Sequence, residues 1–286
     1  MNHSMINAAS GMRAMQLRID TIAHNLANSD TVGYKSSDTT FASLLTSKLN
    51  NQPYDQYEQG RLTPYGIRPG FGAKEAIQQV DYTQGTVKQT DQPTDLYLEG
   101  EAYFRVQSAD ANRTGEALFT RDGSFKFIPT AGNQLQLVTA NGDYVMDSNP
   151  RTPRPIRIPA NATNFRVDST GQITYRTPAG VQQTHSQRIG VYTVQNPNIL
   201  DNVGENYFRL PLGPGQALNT FAQVSNNVVQ MPQGLAVHQG GLEMSNVDLR
   251  KEMTSLMESQ RALQFNSRAL SYGDQMMDVT NRIFRG

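Results

Sequence analysis

The chain has 286 residues, enough to bury a sizeable core in one large domain or two ordinary ones, and its 25 basic and 25 acidic side chains cancel without forming blocks, so nucleic acid is not an expected partner. The absence of Cys excludes disulfides, thiolate metal sites and a cysteine nucleophile. No apolar run of about 18 residues occurs and residues 1–30 hold no basic segment followed by a continuous apolar stretch, so neither membrane insertion nor a cleaved secretory signal is expected.

Near the N-terminus, Met5, Ala8, Met12, Met15, Ile19, Ile22 and Leu26 recur in alternating steps of three and four, the pattern of one apolar helix stripe. Asn28, Ser29 and Gly33 supply its stop. Residues 41–84 show little periodicity, and Gly60, Pro64, Gly66, Pro69, Gly70 and Gly72 crowd into a short stretch. That segment reads as an extended Gly/Pro-rich arm, either a flexible linker or a strap that orders against neighbouring subunits.

Residues 85–238 change to Gly, Pro, Thr, Asn and short alternating apolar runs, the composition of a β-rich domain. Strands are expected at 95–98, 103–106, 135–138, 171–175 and 189–194. Asp122-Gly123 predicts a tight hairpin between Leu118-Phe119-Thr120 and the run from Ser124 to Phe127, and Asn141-Gly142 predicts another turn. Pro150, Pro153, Pro155 and Pro159 predict an extended connection.

The heptads return in residues 239–286, where Leu249, Leu256, Leu263, Leu270, Met277 and Phe284 recur every seven residues. The spacing predicts a helix from about Met244, with Ser245 or Asn246 as N-cap. A second stripe, Ala262, Phe265, Ala269, Tyr272, Met276, Val279 and Ile283, widens the apolar face beyond what one partner helix covers. Gln260, Ser267, Asp274 and Asn281 interrupt it with polar groups expected to set register or to face neighbouring chains. The expected fold is α+β: the helices of residues 1–40 and 239–286 pack as a coiled-coil-like domain, the arm spans 41–84, and a central β-rich domain spans 85–238. An intramolecular hairpin of the two helices is the simplest packing, while the breadth of the C-terminal face favours further partners.

Motifs for catalysis, cofactors and metals are missing. His3, His24, His185 and His238 have no close pairing of the kind that holds a metal, and there is no P-loop, dinucleotide fingerprint or Gly-x-Ser-x-Gly elbow. Glu99, Glu101, Asp122 and Asp143 are scattered among predicted turns, so nothing in their spacing recommends a two-carboxylate glycosidase. No enzyme class is recommended by these residues, and a glycosidase whose carboxylates meet only in the fold stays open.

The segment from Ile19 to Asn28, containing Asn25, Leu26 and Asn28, followed by Thr31-Val32-Gly33-Tyr34-Lys35, resembles the N-terminal signature of the flagellar rod and hook protein family. The run Gly241 to Leu249, with Ser245, Asn246, Val247 and Asp248, is similar to that family's C-terminal hallmark, and Phe119-Thr120-Arg121-Asp122-Gly123-Ser124-Phe125 to its β-domain pattern. Departures are Val32 where the family commonly has Pro, Ser29-Asp30 in place of Val-Asn, and Ala102 at a frequent Gly position. The arm, with Tyr57-Glu58-Gln59-Gly60 and Ile67-Arg68-Pro69-Gly70, looks more like the distal rod protein than the hook protein.

The resemblance implies a subunit of the basal-body rod, without cofactor. It implies export by the flagellar type III machinery with the N-terminus intact, and polymerisation into a helical homo-oligomer beside neighbouring rod and hook proteins. On this reading the terminal helices are loosely ordered alone and assemble through Met5, Met12, Met15, Ile19, Ile22 and Leu26 at one end. At the other end the assembling residues are Leu249, Leu256, Leu263, Phe265, Leu270, Tyr272, Met276, Val279 and Ile283. A hook-type axial protein and a low-copy cap or adaptor are the competing expectations, and a rod-associated peptidoglycan hydrolase the remotest.

Overall fold

The computed structural model describes residues 2–43, 73–109, 117–130, 132–149, 153–194, 197–204, 206–209, 228–230 and 234–285. Residues 44–72, most of the expected arm, lie outside the described residues. The described chain is α+β, with a helix at each end and strands between, and it divides into two compact units.

The first unit takes both chain ends and residues 37–79. Helix α1 runs Asn2–Ala27 and helix α2 runs Leu249–Arg285, about 39 and 55 Å long at the usual rise. They pack antiparallel: Met5 lies against Gly273, Gly11 against Asn266, and Asn25 bonds Glu252. The contact is close because glycine stands at two crossing points. A Cβ on Gly11 would sit 2.9 Å from Asn266 Nδ2, and one on Gly273 would sit 3.0 Å from Met5 Cγ. The strands Ser37–Ser43, across the expected boundary at residue 40, and Ala73–Val80, inside the expected arm, form a two-stranded sheet.

Helix α2 begins at Leu249, five residues later than the heptads predict, and its N-cap is Asp248 rather than Ser245 or Asn246. Asp248 Oδ1 accepts from the backbone N–H of Arg250 at 3.0 Å and of Lys251 at 3.4 Å, meeting two of the helix's orphan donors. Asn246 is unavailable because its amide is engaged elsewhere, as described below.

The second unit comprises residues 28–36 and 80–247 and is built on β-strands. Strands form at Leu96–Glu99, Tyr103–Gln107, Gln134–Val138, Gln172–Arg176 and Val191–Val194, close to the five expected. Tyr103–Gln107 is central to the largest sheet, pairing antiparallel with Ala117–Thr120, Tyr144–Val145 and Val191–Val194. Its side chains alternate between two cores, as the two-residue period of a strand requires. Phe104 and Val106 join Leu118, Phe125, Leu137 and Ile156 on one face, while Tyr103 joins Phe119, Tyr192 and Phe208 on the other.

The Asp122-Gly123 hairpin does not form. Ala117–Thr120 pairs with Tyr103–Gln107 and Tyr207–Arg209, whereas Lys126–Thr130 pairs with Gln134–Val138, so Asp122-Gly123 carries the chain from one pairing to another. Gly123 is needed for close approach instead: a Cβ there would lie 1.7 Å from the Leu96 carbonyl oxygen. At Asn141-Gly142 the expected turn is present, with Gly142 at φ 94° and Val138 paired to Tyr144. The proline-rich connection ends in the strand Arg157–Pro159, which lies at the end of the main sheet path, a position that tolerates proline.

Phe104 is fully buried, with its ring 5.1 Å from that of Phe125 at 83°. Phe104→Ala is expected to destabilise the β unit by about 3–5 kcal/mol in chemical denaturation, because the cavity cannot collapse between two paired strands.

Candidate assembly site

Helix α2 presents two faces. Leu256, Leu263, Leu270 and Met277 are half-buried against α1, with Ser259 buried among them, whereas Leu249 at the helix start is exposed. On the α1 side, Ile22, Ala8 and Ala14 are buried, and Met5, Met12, Met15, Ile19 and Leu26 are half-buried. Gly11 and Gly273 stand at close crossings with Asn266 and Met5, and the buried Ser259 lies on α2. Gln260, Ser267, Asp274 and Asn281 are all exposed, one position round from the residues that meet α1.

The second stripe stands in solvent. Phe265 is 72% exposed, Ile283 74%, Met276 65% and Tyr272 63%, and Val279, Met253 and Met257 are likewise open. Covering Phe265, Tyr272, Met276, Val279 and Ile283 would contribute on the order of 10 kcal/mol before ordering costs. Among the described residues no helix is long and apolar enough to cross a membrane.

Asn25 ties the exit of α1 to its surroundings within this unit. Its Oδ1 accepts from the Ser37 N–H at 3.0 Å, and its Nδ2 donates to the Ser37 carbonyl at 2.8 Å and to Glu252 Oε1 at 3.3 Å. A side-chain amide is the group that can donate and accept in this way, and Asn25 is 1% exposed. Burial pushes the Glu252 carboxyl above its ordinary value, partly opposed by the Asn25 hydrogen bond and Lys251; Asp38 adds to the rise and Arg18 opposes it.

In the β unit, the segments nearest the two helices in sequence meet at Glu243. Glu243 Oε1 accepts from Lys35 Nζ at 2.6 Å and from the Gly85 N–H at 3.0 Å, and Oε2 accepts from Arg121 Nη1 at 2.8 Å. Lys35 also donates to the Thr83 carbonyl at 2.6 Å, and Arg121 to the Gly100 carbonyl at 2.7 Å. The three side chains are each about 1% exposed. Burial alone would raise the Glu243 pKa, but Arg121, Lys35 and the Gly85 N–H outweigh it and hold the carboxyl below its ordinary value. Burial lowers the Lys35 ammonium, Arg121 adds to that, and Glu243 opposes it.

The motif residues frame this cluster. Gly33, at φ 69°, donates its N–H to the Glu243 carbonyl at 2.8 Å, and a Cβ there would lie 2.7 Å from the Asp122 nitrogen. Tyr34 is buried. Asn246 Oδ1 accepts from the Ser36 N–H and its Nδ2 donates to the Asp81 carbonyl, both at 2.8 Å. Ser245 Oγ accepts from the Val247 N–H at 3.3 Å, and Asn28 Oδ1 accepts from Thr31 Oγ1 at 3.2 Å, closing the turn after α1. Sequence reasoning missed Glu243 and Arg121 as a pair with Lys35, since 208 residues separate Lys35 from Glu243. His24 is exposed, and among the described residues no His, Asp and Glu cluster could hold a metal.

The family model described as flagella basal body rod protein matches residues 5–35, which hold the motif from Asn25 to Lys35. The flagellar hook protein FlgE/F/G D1 domain matches residues 97–175, and the flagellar basal body rod FlgEFG protein C-terminal model matches 238–283. The flagellar hook-basal body complex protein FlhP of Bacillus subtilis is 35% identical over 99% of this chain and 100% of its own. The chain belongs to the flagellar basal-body rod and hook protein family. The flagellar basal-body rod proteins FlgG of Borreliella burgdorferi and of Bacillus subtilis are each 30% identical, covering 100% of both chains and 97% of both chains respectively. Within this rod and hook family the chain is a structural rod subunit. The C-terminal family segment spans Glu243, the cap Asp248 and the exposed stripe of α2.

Because Glu252 holds its proton to higher pH in the folded than in the unfolded chain, its contribution to stability is fully present below the unfolded glutamate pKa and is lost as pH rises through the raised folded value. Helix-pair stability, followed by far-UV circular dichroism, is therefore expected to decline from acid toward neutral pH more in the native chain than in Glu252→Gln. Equal slopes would remove Glu252 from the account.

Proposed function

We propose that this rod subunit is of the distal type and polymerises through its terminal helices into the axial tube that transmits torque to the hook. The observation that carries the reading is the exposed apolar stripe of α2, from Phe265 to Ile283, on a helix whose other face already has a partner. Neighbouring copies are the occupants of that stripe, and the helices then form a coiled-coil-like bundle. Head-to-tail contacts that do not close on themselves generate an open helical polymer.

The close crossings of α1 and α2 use Gly11, Gly273 and Asn266, and the large side chains Phe265, Tyr272 and Met276 lie outside that interface. Ordering is then completed by assembly. The basal body is the site of action, with neighbouring rod and hook proteins as partners, and the type III export machinery delivers the subunit without cleaving a signal. The names of the relatives, basal-body rod and hook-basal body complex proteins, support that location.

Quantitative peptide mass spectrometry of purified hook-basal bodies tests this reading. The chain is expected in multiple copies relative to a known rod subunit, and Phe265→Glu with Ile283→Glu is expected to reduce its recovery at least about tenfold, as loss of roughly 1.5–3 kcal/mol per buried side chain implies. Native recovery of the double variant would exclude the stripe as the contact, and absence of the native chain would exclude a rod role.

A further inference from the structure

We infer that Lys35, Arg121 and Glu243 form a register lock, a buried ion cluster whose task is to hold residues 28–36 and 241–247 in one alignment rather than to add stability. The inference rests on the rod reading only for its assembly readout.

The first observation is the charge count. Two cations share a single carboxylate at about 1% exposure, leaving one surplus positive charge in the interior. Taking charges out of water costs about as much as their mutual attraction returns, so a cluster of this composition is a poor way to stabilise a fold. Burial is the main cause that lowers the Lys35 ammonium, and the charge of Arg121 on the shared carboxylate adds to it.

The second observation is what the cluster joins. Glu243 is bonded by its side chain to Lys35, Gly85 and Arg121, and by its backbone carbonyl to Gly33. The neighbouring Met244 N–H bonds the Thr86 carbonyl at 2.8 Å, and Asn246 bonds Ser36 and Asp81. Gly85 permits the crossing, since a Cβ there would lie 1.9 Å from the Met244 carbonyl oxygen.

Glu243 sits on the strand Gly241–Glu243, paired with Val87–Gln89, where a one-residue slip turns its side chain to the opposite face. The slip would leave Lys35 and Arg121 buried without a counter-charge. Apolar side chains of similar volume would also lose burial in such a slip but would leave no charge uncompensated, so the penalty against the slip would be smaller. The ion cluster therefore selects one alignment of the two segments through which the terminal helices are connected to the β unit by the chain.

Lys35→Met in the full chain is the first test, because it leaves a neutral Arg121–Glu243 pair. The thermal midpoint of the β unit is expected to hold or rise, while amide exchange at Gly33 and Ser36 accelerates roughly tenfold through local opening. Recovery of the variant in hook-basal bodies is expected to fall about as far. Glu243→Gln, which strands both cations, is expected to lower the midpoint sharply.

A drop for Lys35→Met as large as for Glu243→Gln would make Lys35 a plain stabiliser and overturn the inference, as would unchanged exchange. Should Lys35→Met fail to fold, Lys35→Met with Arg121→Met and Glu243→Leu is measured in its place. Retained midpoint with faster exchange supports the lock, and failure of that variant too overturns it. Exchange is read on the isolated protein, so absence of the native chain from basal bodies would refute the rod reading without touching the lock.

Discussion

A helix of 37 residues with two apolar faces and, among the described residues, one partner helix is the constraint on which this protein turns. The face of α2 that meets α1 carries Leu256, Leu263, Leu270 and Met277 but is punctuated by Ser259, Asn266 and Gly273, so the pair is close without being strongly held. The largest side chains, Phe265 and Tyr272, are open to water, as is Met276. In a closed globular protein that distribution would be inverted, because large side chains release more solvent when buried. The proposed assembly surface is read from this inversion.

The β unit solves a different problem. Its sheet is covered on both sides by residues that alternate along Tyr103–Gln107, Ala117–Thr120 and Tyr207–Arg209, giving two cores that share one backbone layer. Where the segments adjoining the terminal helices meet this layer, charge and glycine replace apolar packing. Glu243 gathers Lys35 and Arg121, while Gly33 and Gly85 lack the Cβ atoms that would collide with the backbone at Asp122 and Met244. Apolar packing fixes the body of the unit, and hydrogen-bond direction fixes its two chain exits.

Much of this was legible in the sequence, and the parts that were not share a cause. Heptad spacing placed both helices and separated the two stripes of α2, because a helix repeats locally. Alternation located the central strands for the same reason. The hairpin at Asp122-Gly123 was misread because a turn dipeptide reports local chain reversal, whereas this glycine answers to the Leu96 carbonyl in another segment. The α2 cap was expected at Ser245 or Asn246 and stands at Asp248, because the Asn246 side chain is occupied by Ser36 and Asp81. The ion cluster was invisible for the strongest form of this reason. Residues 35, 121 and 243 are ordinary charges until the fold brings them together.

The central claim is that the outer face of α2 is open in the single subunit and covered in the polymer, and methionine oxidation footprinting reads this most directly. Met276 belongs to the exposed stripe and its neighbour Met277 to the face against α1, so one helix turn supplies both the probe and its control. The account predicts that in the isolated subunit Met276 oxidises well ahead of Met277, and that in purified hook-basal bodies Met276 becomes protected. Met276 remaining as reactive in the assembled rod as in the free chain would contradict it.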